Sequence, residues 1–201
     1  MSKVKICGLS RTEDVDAVNR ALPDYAGFVF APSSRRVDTG KAALLKGMLD
    51  ARIEAVGVFV NESIDAIAEL YSNKVIDMVQ LHGDEDDAYI RTLKSRCGCR
   101  VIKAVHVGDT LPDLPGSPDY IMFDTASARR GGMGRTFDWD VVRGYAGLPY
   151  FLAGGLTASL VRGAINLLSP YCVDVSSGVE TDGKKDAEKI AEFVRVVRSA
   201  K

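Results

Sequence analysis

The sequence predicts an α/β chain in which eight parallel strands and their crossover segments close into a single (β/α)8 TIM barrel. Three observations point there. Eight short apolar runs recur along the 201 residues, separated by stretches with helical periodicity. The runs are continuously apolar, as expected of parallel strands buried on both faces. No glycine-rich dinucleotide fingerprint of the G-x-G-x-x-G type follows the first run, which argues against an open doubly wound sheet.

In chain order the runs are Val4–Cys7, Gly27–Phe30, Ala55–Val60, Ile76–Leu81, Arg100–Val105, Tyr120–Phe123, Tyr150–Ala153 and Val173–Val175. Between them, Ile64, Ile67, Ala68 and Tyr71 form one i, i+3, i+4, i+7 stripe, and Ile190, Phe193, Val194 and Val197 form another. Leu160, Ala164, Leu167 and Leu168 form a third. Ser10 and Glu13 have the spacing of a capping box that opens the first helix. The stretch from Gly108 to Pro118 carries Pro112, Pro115 and Pro118, so an irregular crossover is expected there instead of a helix.

Composition narrows the class. Hydrophobic residues make up 46% and charged residues 26%, an ordinary globular balance. No linker or low-complexity tract divides the chain, so residues 1–201 read as one domain. With 26 basic against 27 acidic residues there is no basic field to hold a nucleic acid or an anionic membrane. Met1–Lys5 leads straight into the first run without the apolar stretch of a signal peptide, and no segment reaches the ~18 apolar residues of a membrane span. The cytoplasm is the expected compartment. Cys97-Gly98-Cys99 is too tightly spaced for a zinc knuckle and reads as a turn before a strand.

In this fold, chemistry collects where strands end at the C-terminal face. The loops after the seventh and eighth runs, Ala153-Gly154-Gly155-Leu156-Thr157 and Ser176-Ser177-Gly178-Val179-Glu180, have the character of a phosphate cradle, with glycines admitting an anion to backbone amides. Cys7 ends the first run beside Gly8, and from position alone it is as much a packed small hydrophobe as a reactive thiol. Asp124 ends the sixth run. It is either a turn residue bonded to Thr125 or Ser127, or a carboxylic acid able to donate a proton. Arg36, next to Arg35, could clamp a ligand carboxylate. Gln80 and His82 could touch substrate, although a structural imidazole reads equally well. Lys103 and Asn61 are weaker candidates.

The ordered set Lys5-Ile6-Cys7-Gly8-Leu9, Gly27–Phe30 with Ser34-Arg35-Arg36, Val56–Asn61, Val79-Gln80-Leu81-His82-Gly83 and Phe123-Asp124-Thr125 resembles the phosphoribosylanthranilate isomerase family of tryptophan biosynthesis. So do Gly131–Gly134 ahead of Phe137-Asp138-Trp139, Ala153–Leu156 and Asp174–Glu180. The resemblance implies an Amadori rearrangement of N-(5′-phosphoribosyl)anthranilate without metal or organic cofactor. It implies Asp124 as general acid on the furanose oxygen, Cys7 as general base at C2′, Arg36 on the anthranilate carboxylate, and the two glycine loops on the phosphate. The protein would be a monomer or homodimer whose partner is that small phosphorylated sugar.

Met133 stands where the family pattern has threonine. The tandem arginines leave open which one meets the carboxylate, and the family pattern favours Arg36. Two other readings remain: a histidine-pathway or dual-substrate isomerase, whose members resemble this chain but carry aspartate where Cys7 stands, and a phosphosugar-binding barrel without catalysis.

Overall fold

The computed structural model describes residues 1–125 and 138–200. Eight strands pair in chain order, all in parallel, and the first also pairs with the last to close the barrel. They are β1 (Lys3–Cys7), β2 (Tyr25–Val29), β3 (Glu54–Phe59), β4 (Met78–Leu81), β5 (Val101–Val107), β6 (Tyr120–Thr125), β7 (Tyr150–Leu152) and β8 (Cys172–Val175). Each apolar run lies on one strand, with ends shifted by one or two residues.

Six α-helices occur among the described residues: α1 (Thr12–Ala21), α2 (Thr39–Met48), α3 (Ile64–Ser72), α4 (Asp87–Cys97), α5 (Ala158–Leu168) and α6 (Ala187–Ser199). Asp38, Ser63, Asp86 and Asp186 cap four of them by accepting first-turn amides. The proline-interrupted crossover between β5 and β6 has no helix, as expected. Before β7 the described residues hold a 3-10 turn at Trp139–Val142. Gly98, at φ 65°, ends α4, so Cys97-Gly98-Cys99 is a helix-stop turn. No described helix is long and apolar enough to cross a membrane.

Two sequence expectations need correction. The start of α1 is framed one residue later than Ser10 and Glu13 suggest. Arg11 is the extended cap residue, and Asp14 accepts from the amides of Ser10 at 2.9 Å and Arg11 at 3.0 Å. In α5 the buried face is Val161, Ala164 and Ile165, and Leu160 and Leu167 are exposed. The α6 stripe is buried throughout.

Strand alternation sorts side chains into two apolar layers. Val4, Ile6, Phe28, Leu81, Val101 and Phe123 pack outward against the helices. Tyr25, Val56, Met78, Ile102, Met122, Phe151 and Cys172 fill the lumen. By the same alternation Lys5 and Cys7 share the lumen side of β1, Asp174 follows Cys172 on β8, and Asp124 follows Met122 on β6. A small antiparallel hairpin after β8, β9 (Glu180–Thr181) with β10 (Lys184–Lys185), was not anticipated.

Candidate active site

On the β1/β8 side, Cys7 sits at the strand end, buried, against Gly27 of β2. A Cβ at Gly27 would lie 2.8 Å from the Cys7 sulfur, so that neighbour has to be small. One lumen layer below, fully buried Lys5 donates to Asp174 at 2.9 Å. Burial works against the Lys5 charge, but Asp174 more than compensates and holds the ammonium protonated. Burial pushes the Cys7 thiol up. Lys5 and, more weakly, Lys185 pull it back toward the thiolate, and Asp174 opposes them.

Lys185, on β10, is itself buried. It donates to the Ser176 carbonyl at 2.9 Å and to Glu180 at 2.6 Å. Burial lowers its pKa while Glu180 sustains the charge. Ser176 Oγ in turn donates to the Cys7 carbonyl at 3.0 Å, fixing the turn that presents the thiol.

Across the mouth, Asp124 ends β6. One carboxylate oxygen accepts from the Thr125 amide at 2.8 Å, and the other lies 3.3 Å from His82 Nε2. The local turn bond and an oxygen turned to His82 therefore coexist in one half-buried side chain. Ser127 lies outside the described residues, as do Gly131–Gly134 with Met133. The other ring nitrogen of His82 is 3.0 Å from the amide nitrogen of buried Gln80. Gln80 thus orients the imidazole and is held from below by the Met122 sulfur at 3.3 Å.

The two glycine loops meet between these sides. A Cβ at Gly178 would lie 2.0 Å from the Leu156 carbonyl oxygen, so the loops after β7 and β8 are in direct contact. Gly154, at φ 88°, leaves no room for a side chain beside Thr125. The amides of Gly154 and Gly155 have no hydrogen-bond partner among the described residues, and α5 starts three residues beyond. Unpaired amides ahead of a helix N-terminus suit an anion. Ser177 and Gly178 belong to the short 3-10 turn that follows β8.

The model of the N-(5′-phosphoribosyl)anthranilate isomerase family matches residues 4–196. The chain belongs to the phosphoribosylanthranilate isomerase family. A relative named N-(5′-phosphoribosyl)anthranilate isomerase from Endomicrobium trichonymphae is 50% identical, over 99% of this chain and all of its own length. Among solved structures, phosphoribosyl anthranilate isomerase from Thermotoga maritima is 36% identical with a TM-score of 0.85, covering 98% of this chain and 99% of its own. A structure titled as the family enzyme in complex with reduced 1-(o-carboxyphenylamino)-1-deoxyribulose 5-phosphate is 33% identical, with a TM-score of 0.82 and the same coverage.

Within this phosphoribosylanthranilate isomerase fold the tandem arginines have separate positions. Arg35 arches over Gly8 and donates twice to Glu180, at 2.7 and 2.6 Å, tying the loop after β2 to the loop after β8. Arg36 is exposed and its guanidinium has no partner among the described residues. Of the two, Arg36 is the one whose guanidinium is left unpaired among the described residues. Asn61 and Lys103 are structural. Both belong to a knot in which the Glu85 carboxylate accepts the amides of Asn61 and Gly83 and the ammonium of Lys103.

Sequence reasoning passed over Lys5, Asp174, Lys185 and His106. For Lys5 and Asp174 the signal was present, since a charge inside a doubly buried strand is costly unless paired, and each lies an even number of residues from a rim position. Lys185 and His106 carried no comparable local mark.

Proposed function

We infer that the protein catalyses the rearrangement of N-(5′-phosphoribosyl)anthranilate to 1-(2-carboxyphenylamino)-1-deoxyribulose 5-phosphate, a step of tryptophan biosynthesis. The family match along the chain supports the reaction. The observation that carries the mechanism is the placement of a thiol and a carboxyl at lumen positions on β1 and β6, three strands apart around the ring, with the anion-suited loops of β7 and β8 between them.

A substrate whose phosphate rests on those loops spans the mouth. Asp124, on one side, donates a proton to the furanose ring oxygen. The anilino nitrogen pushes its lone pair into C1′, the C1′–O bond breaks, and an open-chain Schiff base forms. Cys7, as thiolate on the other side, removes the proton from C2′, and the electron pair moves through C2′ to the nitrogen. The resulting enolamine becomes the ketone when the C2′ hydroxyl loses its proton and C1′ gains one. The reaction moves only protons and electron pairs within the substrate, so it requires no external oxidant. Arg36 would hold the anthranilate carboxylate, and His82 would keep Asp124 turned toward the ring oxygen. Gln80 fixes His82.

Purified protein, given N-(5′-phosphoribosyl)anthranilate, should consume its anthranilate fluorescence with saturable kinetics. Absence of turnover with folded protein would remove this reading. Comparable turnover of the histidine-pathway aminoaldose substrate would replace it with a dual-substrate one.

A further inference from the structure

His106 faces Asp124 across the β5–β6 pairing, and its ring centroid lies 5.3 Å from that of His82. One donor atom each from His82, His106 and Asp124 lie within 4.8 Å of one another. We propose that these three side chains form a site for a borderline divalent transition-metal ion such as Zn²⁺ or Co²⁺, and that the ion shuts off the isomerase when it binds.

The geometry is close to what such an ion needs. Zinc takes imidazole nitrogen and carboxylate oxygen at about 2.0–2.2 Å, which places two neighbouring ligand atoms ~3.0–3.5 Å apart. His82 Nε2 and Asp124 Oδ2 already stand at 3.3 Å. The remaining contraction falls on His106. That side chain is exposed and makes no hydrogen bond among the described residues, so its ring can swing inward. Two nitrogens and one oxygen suit zinc, cobalt or nickel over magnesium or calcium, and three ligands leave open positions toward the mouth.

The supporting side chain is also in place. A metal-binding imidazole usually donates its second N–H to an oxygen that fixes its orientation. Gln80 contacts the second nitrogen of His82, and its amide oxygen is buried without a partner among the described residues. Turning that amide over would bring the oxygen onto His82 Nδ1–H and free Nε2 for the ion. A cation on Asp124 Oδ2 would hold the carboxylate as an anion and remove it as a proton donor. That inhibitory consequence rests on the reading of Asp124 as the acid. Binding itself does not.

The test titrates metal-free protein with Co²⁺ alone, followed by its visible absorption, and then displaces it with Zn²⁺. Turnover is measured in parallel against free Zn²⁺. The expected result is one Co²⁺ per chain, with bands retained in Cys7→Ser. Affinity should fall at least tenfold in His106→Asn, and the Zn²⁺ concentration that halves turnover should rise by a similar factor. Metal-free turnover of His106→Asn should match that of the parent protein. Undiminished Co²⁺ affinity in His106→Asn, or loss of the bands in Cys7→Ser, would overturn the site. Equal Zn²⁺ sensitivity of the parent and His106→Asn would overturn the inhibition. Because the absorption is read without substrate, its failure leaves the acid role untouched. Failure of the acid role would show instead as turnover persisting in Asp124→Asn.

Discussion

The two sides of the barrel mouth solve opposite electrostatic problems. On the β1/β8 side the groups are buried and nearly all paired. Lys5 is bonded to Asp174, Lys185 to Glu180, and Arg35 to Glu180, with the Cys7 thiol among them. On the β4–β6 side, His82, His106 and Asp124 are half-buried or exposed and only loosely held. A thiol has to lose its proton before it can act as a base, and fixed buried cations favour that loss. A carboxyl that has to meet a ring oxygen of the substrate is better served by a place at the open rim. The difference teaches that burial alone does not suit a base: the Cys7 side offsets it with the fixed charges of Lys5 and Lys185, a device the Asp124 side does without.

The sharpest way to break this contrast is to disable each side. Cys7→Ser and Asp124→Asn should each lower kcat by about 10²–10⁴-fold while product binding, measured by fluorescence titration, persists. If either variant kept near-normal turnover, the role given to that side would be wrong. Next in size is the buried pair. Lys5→Met alone should cost about 3–5 kcal/mol in denaturant unfolding, because it strands the Asp174 carboxylate. Lys5→Met with Asp174→Leu should recover most of that stability. Since Lys5 lowers the Cys7 pKa more than Asp174 raises it, the thiol of this double variant should rise further. The ascending limb of kcat/KM against pH should then move to higher pH, with about a tenfold loss at neutral pH for each unit of movement. An unmoved limb would reduce Lys5 to a packing role.

The arginines provide a smaller contrast. Arg36→Met should raise KM about tenfold with little change in kcat, whereas Arg35→Met should act on stability first. The reverse pattern would exchange their roles. The smallest effect concerns Glu180. Burial alone would raise its pKa, but bonds from Arg35 and Lys185 outweigh that and hold it down to about 2, below its ordinary 4.5. A depressed folded-state pKa means that this stabilisation is complete above about pH 4.5 and disappears as pH falls toward 2. Glu180→Gln should lower Tm by a few degrees at pH 7, and the gap from the parent protein should close across that acid window.

The barrel was legible because parallel strands buried on both faces write continuous apolar runs, and their order alone gives the ring. Cys7 and Asp124 were legible as strand-end polar residues able to do acid–base chemistry, and the family resemblance favoured that reading over packing and a turn bond. The different settings of Arg35 and Arg36 left no local mark in the sequence. Arg35 is engaged by Glu180, 145 residues away in sequence. His106 falls just beyond the apolar run of β5, and its partners arrive from two other strands. Lys5 and Asp174 were hidden inside runs read as apolar, where each looks like an interruption until strand pairing sets them side by side.

That last pairing has a consequence for how the molecule comes into being. Lys5 emerges from the ribosome 169 positions ahead of Asp174. Until β8 docks beside β1, the barrel is an open sheet with an ammonium group on its inner face and no counterion for it. The same docking completes the wall, neutralises that charge and delivers the loop that braces Cys7. A chain cut short before β8 therefore lacks the means both to close and to equip its thiol. Closure of the barrel and competence for chemistry depend on one and the same strand pairing.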